Sequence, residues 1–522
     1  MIEDFKKHNG DKAEFNADLC IIGAGAAGIT LARQFLNTKI SVILLESGGH
    51  DYDKNAQSLA EGNISDSSSP YYDLGEARLR FFGGTTAIWG GRVAQLDAID
   101  FKKRDWVAHS GWPFGKEELS EHYKKAQDVL QLPHIENNSL PSFKSDIDDN
   151  IISSAFWQFD EVFDRFTLPK CNDLKSASNI KIMLNATAIK LCDAGSCIDN
   201  VEIANLFGGK GSIKAKHYVL ATGGLEVPRI LLSSTSENSP NGIGNNYDQV
   251  GRYFMEHPHA RSARINVDDP KKLFKHLPRF MRFGGYRYGM LFRPGDELQK
   301  KKGILNTGFT MAVRKHPDGK QAIYKDIYNT MRHELNPTRS GRGVWRISRK
   351  ISSAVQDHFG AALNVAKLKK KDYGLYTVMR AEQAPNPDSR LVLSDKKDAL
   401  GMSQINLNWK FSNIDKHSVS ASMEAFGSEL ERVGLGSVET QPWLSDDNID
   451  WEVDPLVSNH AIGGYHHMGT TRMSDDIKKG VVDKDCRIHG CNNLYVAGSS
   501  VFPTGGWANP TQPSPSWLYP CV

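Results

Sequence analysis

The feature that most limits what this chain can become is Gly23-Ala24-Gly25-Ala26-Ala27-Gly28. The apolar run over 17–22 that precedes it predicts a buried strand. A helix is expected from Ala26 to about Phe35, then a second strand over Ile40–Leu45 that ends at Glu46. That order is a strand–turn–helix–strand unit of about 30 residues. Gly23 permits a tight turn, Gly25 lets backbone approach a pyrophosphate, and Gly28 lets helix and strand pack closely. Ala26 and Ala27 open the helix, whose N-terminus favours phosphate. Glu46 stands 18 residues after Gly28 and can accept from a ribose hydroxyl, which favours NAD or FAD over NADP. The competing reading is a glycine-rich turn in an unrelated α/β fold, and the full context weighs against it.

Charge and composition remove other classes. Lys+Arg 64 against Asp+Glu 61 leaves a net charge of +3, so nucleic acid is not an expected partner. The chain has no apolar run of the ~18 residues a membrane span needs, and no transmembrane segment is expected. The first residues, Met1–Phe15, lack the apolar core of a secretory signal. Seven cysteines are sparse and odd in number, which fits a reducing compartment and a cytoplasmic location. Export alongside a signal-bearing partner is the alternative.

Residues 48–92 read as a long loop, and 117–131 as an amphipathic helix with Leu119, Tyr123, Ala126 and Leu130 on one face. Strands are expected over 180–191 and 217–222, followed by a helix with Pro228 in its first turn. Strand-like runs recur at Arg390–Leu393 and Gln404–Trp409. Between Met331 and Lys371 stand ten Lys+Arg against two Asp+Glu, read as a solvated helical face. Nucleotide-domain texture at both ends, with a different middle, predicts a discontinuous domain.

Further motifs follow. Gly83-Gly84-Thr85-Thr86-Ala87-Ile88-Trp89-Gly90-Gly91 suggests close approach of a flat ligand or a second backbone. His466-His467-Met468-Gly469-Thr470 could be a metal site, a satisfied core pair or a base. Cys486 and Cys491 bracket His489, but a zinc site needs a fourth ligand and better spacing, so no metal is expected.

Together with Gly111-Trp112-Pro113, Ala221-Thr222-Gly223-Gly224, Gly251-Arg252-Tyr253-Phe254-Met255-Glu256-His257-Pro258, Val496-Ala497-Gly498-Ser499-Ser500 and Phe502 to Pro510, these segments resemble the glucose–methanol–choline (GMC) flavoprotein oxidoreductases. The likeness runs nearly end to end. Its texture is similar to that of bacterial sugar and polyol dehydrogenases and pyranose oxidases, including Asn386-Pro387-Asp388-Ser389-Arg390.

The resemblance implies an α/β fold. A Rossmann-type FAD-binding domain would be built from 15–110, 170–260 and 455–522. An α+β substrate-binding region with an antiparallel sheet would be built from 111–169 and 261–454. It implies FAD-dependent oxidation of a sugar or polyol CH–OH, with electrons passed to a quinone, a cytochrome or O2, and leaves room for a partner subunit. A dehydrogenase is expected rather than an oxidase. His466 matches the family's catalytic base and Asn509 its second active-site position; a neutral imidazole can take the hydroxyl proton. His467 is given no role. Cofactor contacts are implied for Gly23, Gly25, Ala26, Ala27, Gly28, Glu46, Gly84, Thr85, Trp89, Gly90, Gly91, Ala188, Ala221, Gly498, Asn509 and Pro510. Ile88 stands where some relatives attach the flavin through histidine, so a non-covalent FAD is expected.

The end of the chain departs from the family. After Thr511 relatives continue into an apolar helix, whereas Gln512–Val522 carries Pro513, Pro515 and Pro520, which no such helix tolerates. Codons permitted for these residues, read one base out of register, encode Thr-Phe-Thr-Ile-Val-Ala-Leu-Ser-Leu-Arg, which fits the family helix. A frameshift just after Pro510 is therefore expected, and resequencing decides it. Two rival functions remain: a flavin monooxygenase, which needs NAD(P)H, and a degenerate flavoprotein without activity.

Overall fold

The computed structural model describes residues 1–10, 12–65, 73–136, 140, 146–316, 337–452 and 465–511. The aberrant stretch 512–522 lies outside them, as do 331–336 of the basic stretch and 453–464.

Two large sheets organise the chain. The first runs, in spatial order, Ile2–Asp4, Ile180–Leu184, Val42–Leu45, Lys12–Ile22, Lys210–Leu220, Ile198–Ala204 and Thr187–Asp193. Its first five strands are parallel, and Leu494–Val496 adds in parallel to Lys210–Leu220. Strands buried on both faces need continuous apolar runs, and Leu19–Ile22 and Val42–Leu45 supply them. The expected strand over 180–191 is two strands: Asn185 takes a left-handed φ of 56° and turns the chain between them.

The helix after Lys210–Leu220 spans Gly223–Ser233, so Pro228 sits mid-helix rather than in the first turn. Proline has no N–H for the carbonyl four residues back, which is Gly224. Thr470 Oγ donates to that carbonyl at 2.7 Å instead. This substitute donor lets the helix start earlier than the proline rule predicts. Thr470→Val keeps the shape and removes the donor. We expect a loss of about 1–3 kcal/mol, read as a lower denaturation midpoint at unchanged slope.

The second sheet runs Ser437–Thr440, Arg261–Asn266, Tyr373–Arg380, Gly308–Lys315, Tyr286–Pro294, Ile152–Phe159 and Arg92–Val93, with Phe280–Phe283 beside Tyr286–Pro294. All its pairings are antiparallel. One face packs on the helix Asn413–Arg432, where the Phe426 ring meets Phe292 at 5.1 Å and Phe309 at 4.9 Å. The opposite face turns to Trp507: a Cβ on Gly308 would lie 2.9 Å from Trp507 Cβ, and Trp157 meets the Trp507 ring at 6.0 Å. Strands Arg390–Lys397 and Ser403–Asn408 form a third small sheet with Gly62–Ile64, inside what reads as a loop over 48–92. The helix read over 117–131 begins as a 3-10 turn, then runs Ser120–Leu130. It buries Leu119, Tyr123, Ala126 and Leu130.

The basic stretch is a 30-residue helix, Arg339–Leu368, and its outer face is not the solvated polar face expected. The inward face is polar. Arg342 pairs with Asp51, Arg346 with Asp164, and Asp357 with Arg282 and Arg287 at 2.8 and 2.7 Å. The outward face carries Val344, Ile347, Ile351, Val355, Phe359 and Leu363, with Ile347 62% exposed. Acidic partners beneath its first turns draw the arginines inward, and only near its end do Val365 and Leu368 pack on apolar core.

Candidate active site

A cavity of about 260 Å³ opens at the carboxyl ends of the parallel strands. The turn supplies Gly23, Gly25, Ala26 and Ala27, and the end of Val42–Leu45 supplies Glu46. Ala188, Ala221, Gly84, Thr85, Gly498 and Pro510 also line it. Gly23 holds a φ of 110°, which non-glycine residues rarely adopt. Glu46 is buried, and its carboxylate accepts from Ala24 N at 3.2 Å and Gly48 N at 2.9 Å. Burial raises its carboxyl above the usual range against these donors.

Gly28 does not line the cavity. A Cβ there would stand 1.9 Å from the Gly23 carbonyl oxygen, so it is the close-packing glycine under the turn. Trp89, Gly90 and Gly91 do not line it either. Trp89 packs edge-on against Phe166, the Gly90 carbonyl accepts from Arg349 at 3.3 Å, and Gly91 at φ 67° lies against Asp160. Ile88 lines a small side cavity with Thr85 and Pro337.

His466 lies beyond the cavity and its tautomer follows from its neighbours. His257 Nε2 lies 2.7 Å from the Gly506 carbonyl, which only accepts, so Nε2 carries a proton. Burial pushes His257 down to about 4, so the ring is neutral and its Nδ1 accepts. His466 Nδ1, 2.7 Å from that atom, must donate. His466 is itself held well below the ordinary histidine range, first by burial, then by His257 and Arg380. Its Nε2 is therefore an unprotonated lone pair, and Asn509 Nδ2 donates to it at 3.0 Å. Glu256 Oε2 accepts from His466 N at 2.8 Å and fixes the backbone. His467 points the other way. Its ring stacks on Phe254, lines the cavity and is pushed down to about 3 by burial.

Sequence reading missed three sets of residues. His257 and Glu256 stand in the quoted Glu256-His257-Pro258 segment, and the acid–histidine pairing was the available signal. Arg78 and Arg80 line the cavity and pair with buried Glu226, which Arg229 also meets at 3.4 Å. Met402 closes the cavity from the small third sheet, and nothing local marks it. Among the described residues no three His, Cys, Asp or Glu side chains could share a metal ion. His489 Nε2 instead meets the Ser474 carbonyl at 2.8 Å.

Known proteins resemble this chain in sequence and in fold. The sequence profile described as GMC oxidoreductase matches residues 385–514. The fructose dehydrogenase large subunit of Gluconobacter japonicus is 23% identical over 63% of this chain, and the match spans 51% of that protein. The 2-methyl-1,2-propanediol dehydrogenase of Mycolicibacterium austroafricanum is 22% identical over 95% of this chain and 92% of its own. The crystal structure of pyridoxine 4-oxidase from Mesorbium loti shares the fold, with TM-score 0.54 and 15% identity over 96% of this chain and 98% of that one. The chain is thus similar to the GMC oxidoreductases: the profile matches its residues 385–514, and a dehydrogenase and an oxidase match it along nearly its whole length.

Proposed function

We propose that the protein oxidises a CH–OH group of a sugar or polyol to a carbonyl with FAD as cofactor and His466 as the general base. The observation that carries this is the hydrogen-bond chain from His466 Nδ1 through His257 to the Gly506 carbonyl, which leaves His466 Nε2 unprotonated and accepting from the Asn509 amide. The cavity fits a flavin dinucleotide. A Cβ on Gly25, Gly223 or Gly498 would meet no protein atom within 4 Å, so these glycines face open room a ligand can occupy. Gly23, Gly25, Ala26 and Ala27 would hold its phosphates, Glu46 its ribose, and Ala188 the adenine side. FAD supplies the hydride acceptor when bound, and Ile88 offers no atom for a covalent link.

His466 Nε2 takes the hydroxyl proton, His257 holds the imidazole in the tautomer that can, and Asn509 Nδ2 donates to the substrate oxygen. The names of the relatives, a fructose and a diol dehydrogenase, support a polyhydroxylated substrate and a dehydrogenase. A quinone, cytochrome or O2 would take the electrons, with a partner subunit possible in that relay and a cytoplasmic setting.

Anaerobic bleaching of the flavin by a panel of sugars and polyols, without NAD(P)H, tests the reading. A flavin that only NAD(P)H reduces sinks it. Because His466 sits below its ordinary value of 6.5, it is already deprotonated there. The kcat/KM profile should therefore stay level from pH 8 down to about 6.5 and fall only on further acidification. A base titrating at or above pH 7 contradicts the assignment.

A further inference from the structure

The helix Arg339–Leu368 turns apolar side chains to the outside. Six of the fifteen large apolar side chains exposed among the described residues lie on it, over 344–363. Scattered exposure is ordinary, whereas a stripe along one helix is not. Ile347, Ile351, Val355, Phe359 and Leu363 follow one another at intervals of four, so they share one side of the helix along about 24 Å. Ile351 and Phe359 are each 61% exposed. The hairpin beside the helix adds exposed aromatics. Arg282 Nε donates to Asp357 at 2.8 Å, and Phe283 and Tyr286 stand exposed at the turn that follows Arg282.

Ion pairs fix which side faces out. Arg342 to Asp51, Arg346 to Asp164 and Asp357 to Arg287 tie the opposite side to the body of the protein. Rotating the stripe inward would strand these charges.

The charge around the stripe selects its partner. Between Arg339 and Lys371 the one acid is Asp357, whose side chain is 6% exposed and paired. The exposed cations are Arg339, Lys350, Lys367, Lys369, Lys370 and Lys371. The last three cluster just past the helix end, followed by a single exposed acid, Asp372. An apolar side with cations at its edges and no exposed acid matches the boundary between acyl chains and anionic headgroups. Long lysine stems reach from there to phosphate. A second copy of the chain matches it poorly. Parallel helices would set lysine on lysine, and antiparallel ones would set the 369–371 lysines near Arg339.

We propose that Arg339–Leu368 is an interfacial helix that seats the protein on a membrane containing anionic phospholipid, with its stripe among the acyl chains and its lysines on the phosphates. It lies in the plane of the surface. Its other side carries paired arginines, and no helix among the described residues is long and apolar enough to cross a bilayer. Arg349 Nη2 donates to the Gly90 carbonyl at 3.3 Å, so the seated helix is fixed to the segment whose Gly84 and Thr85 line the cavity.

Flotation of the purified protein with vesicles of phosphatidylcholine alone, and of phosphatidylcholine with phosphatidylglycerol, tests this. The anionic vesicles should bind it about tenfold or more tightly, and added salt should weaken the binding without abolishing it. Ile351→Ser with Phe359→Ser should lower the affinity for anionic vesicles by about tenfold or more at an unchanged denaturation midpoint, since both side chains are exposed. Lys369→Gln, Lys370→Gln and Lys371→Gln together should bring the two kinds of vesicle closer to equal. No binding to either vesicle, or binding that the apolar double variant leaves unchanged, overturns the proposal. So does a dimer in sedimentation that the same variant dissociates while vesicles stay bare, which gives the face to a second copy instead.

Discussion

His466→Ala should lower the rate of flavin reduction by about 10²–10⁴ while leaving the flavin bound. The two effects separate because the lone pair and the cavity belong to different walls. The cavity is lined by the glycine turn, Glu46 and the loop at Gly498, and His466 is not among its lining residues. Its removal deletes the atom that accepts the hydroxyl proton and leaves Asn509 with no ring to donate to. Stopped-flow mixing under anaerobic conditions reads the rate, and the 450 nm region of the flavin spectrum reads cofactor content. A variant that reduces at the parent rate moves the base elsewhere. A variant that loses its flavin shows that the loop at 466 holds the cofactor domain together.

Glu382→Ala should cost about 3–5 kcal/mol, a large share of the roughly 5–15 kcal/mol that stabilises an ordinary folded domain. Arg104 and Glu382 form a bidentate pair at 2.9 and 2.6 Å, with side chains 1% and 0% exposed. Glu382 also accepts from Asn306 N at 2.7 Å, and Asn306 in turn donates to Asp97 and Asp100. Cutting the carboxylate strands a buried guanidinium, which is the expensive outcome. Arg104→Met with Glu382→Met together should cost less than Glu382→Ala alone, since no unpaired charge remains. Denaturant midpoints for the three variants check the order. Asp100 abuts Gly506, whose carbonyl holds His257, so the same lesion should also slow flavin reduction.

The parts legible in the sequence are those decided locally. A turn that needs φ 110° at Gly23 and a Cβ-free Gly28 can be seen in six residues. The parts that were not legible depend on partners far along the chain. His257 meets His466 across 209 residues, and the donor that rescues the Gly224 carbonyl comes from 246 residues away. The count of basic residues suggests a solvated face but does not say which face of Arg339–Leu368 turns inward. That depends on Asp51 and Asp164 standing beneath it. Strand register, not sequence spacing, likewise brings Arg92 and Arg380 to the Trp157 ring, at 5.3 and 5.6 Å.

The first sheet has a consequence for how the molecule is made. Lys12–Ile22 pairs with Lys210–Leu220 along almost its whole length, and Leu494–Val496 joins last. At about 5–20 residues per second, the partner of the nucleotide-binding strand leaves the ribosome about 10–40 s after it. Through that interval one edge of the strand is open to mispairing with other chains. The segment that starts the cofactor site is thus among the first to be synthesised and among the last to be completed. Such long-range pairing makes folding slow and places the yield of protein under the control of chaperones and temperature during synthesis.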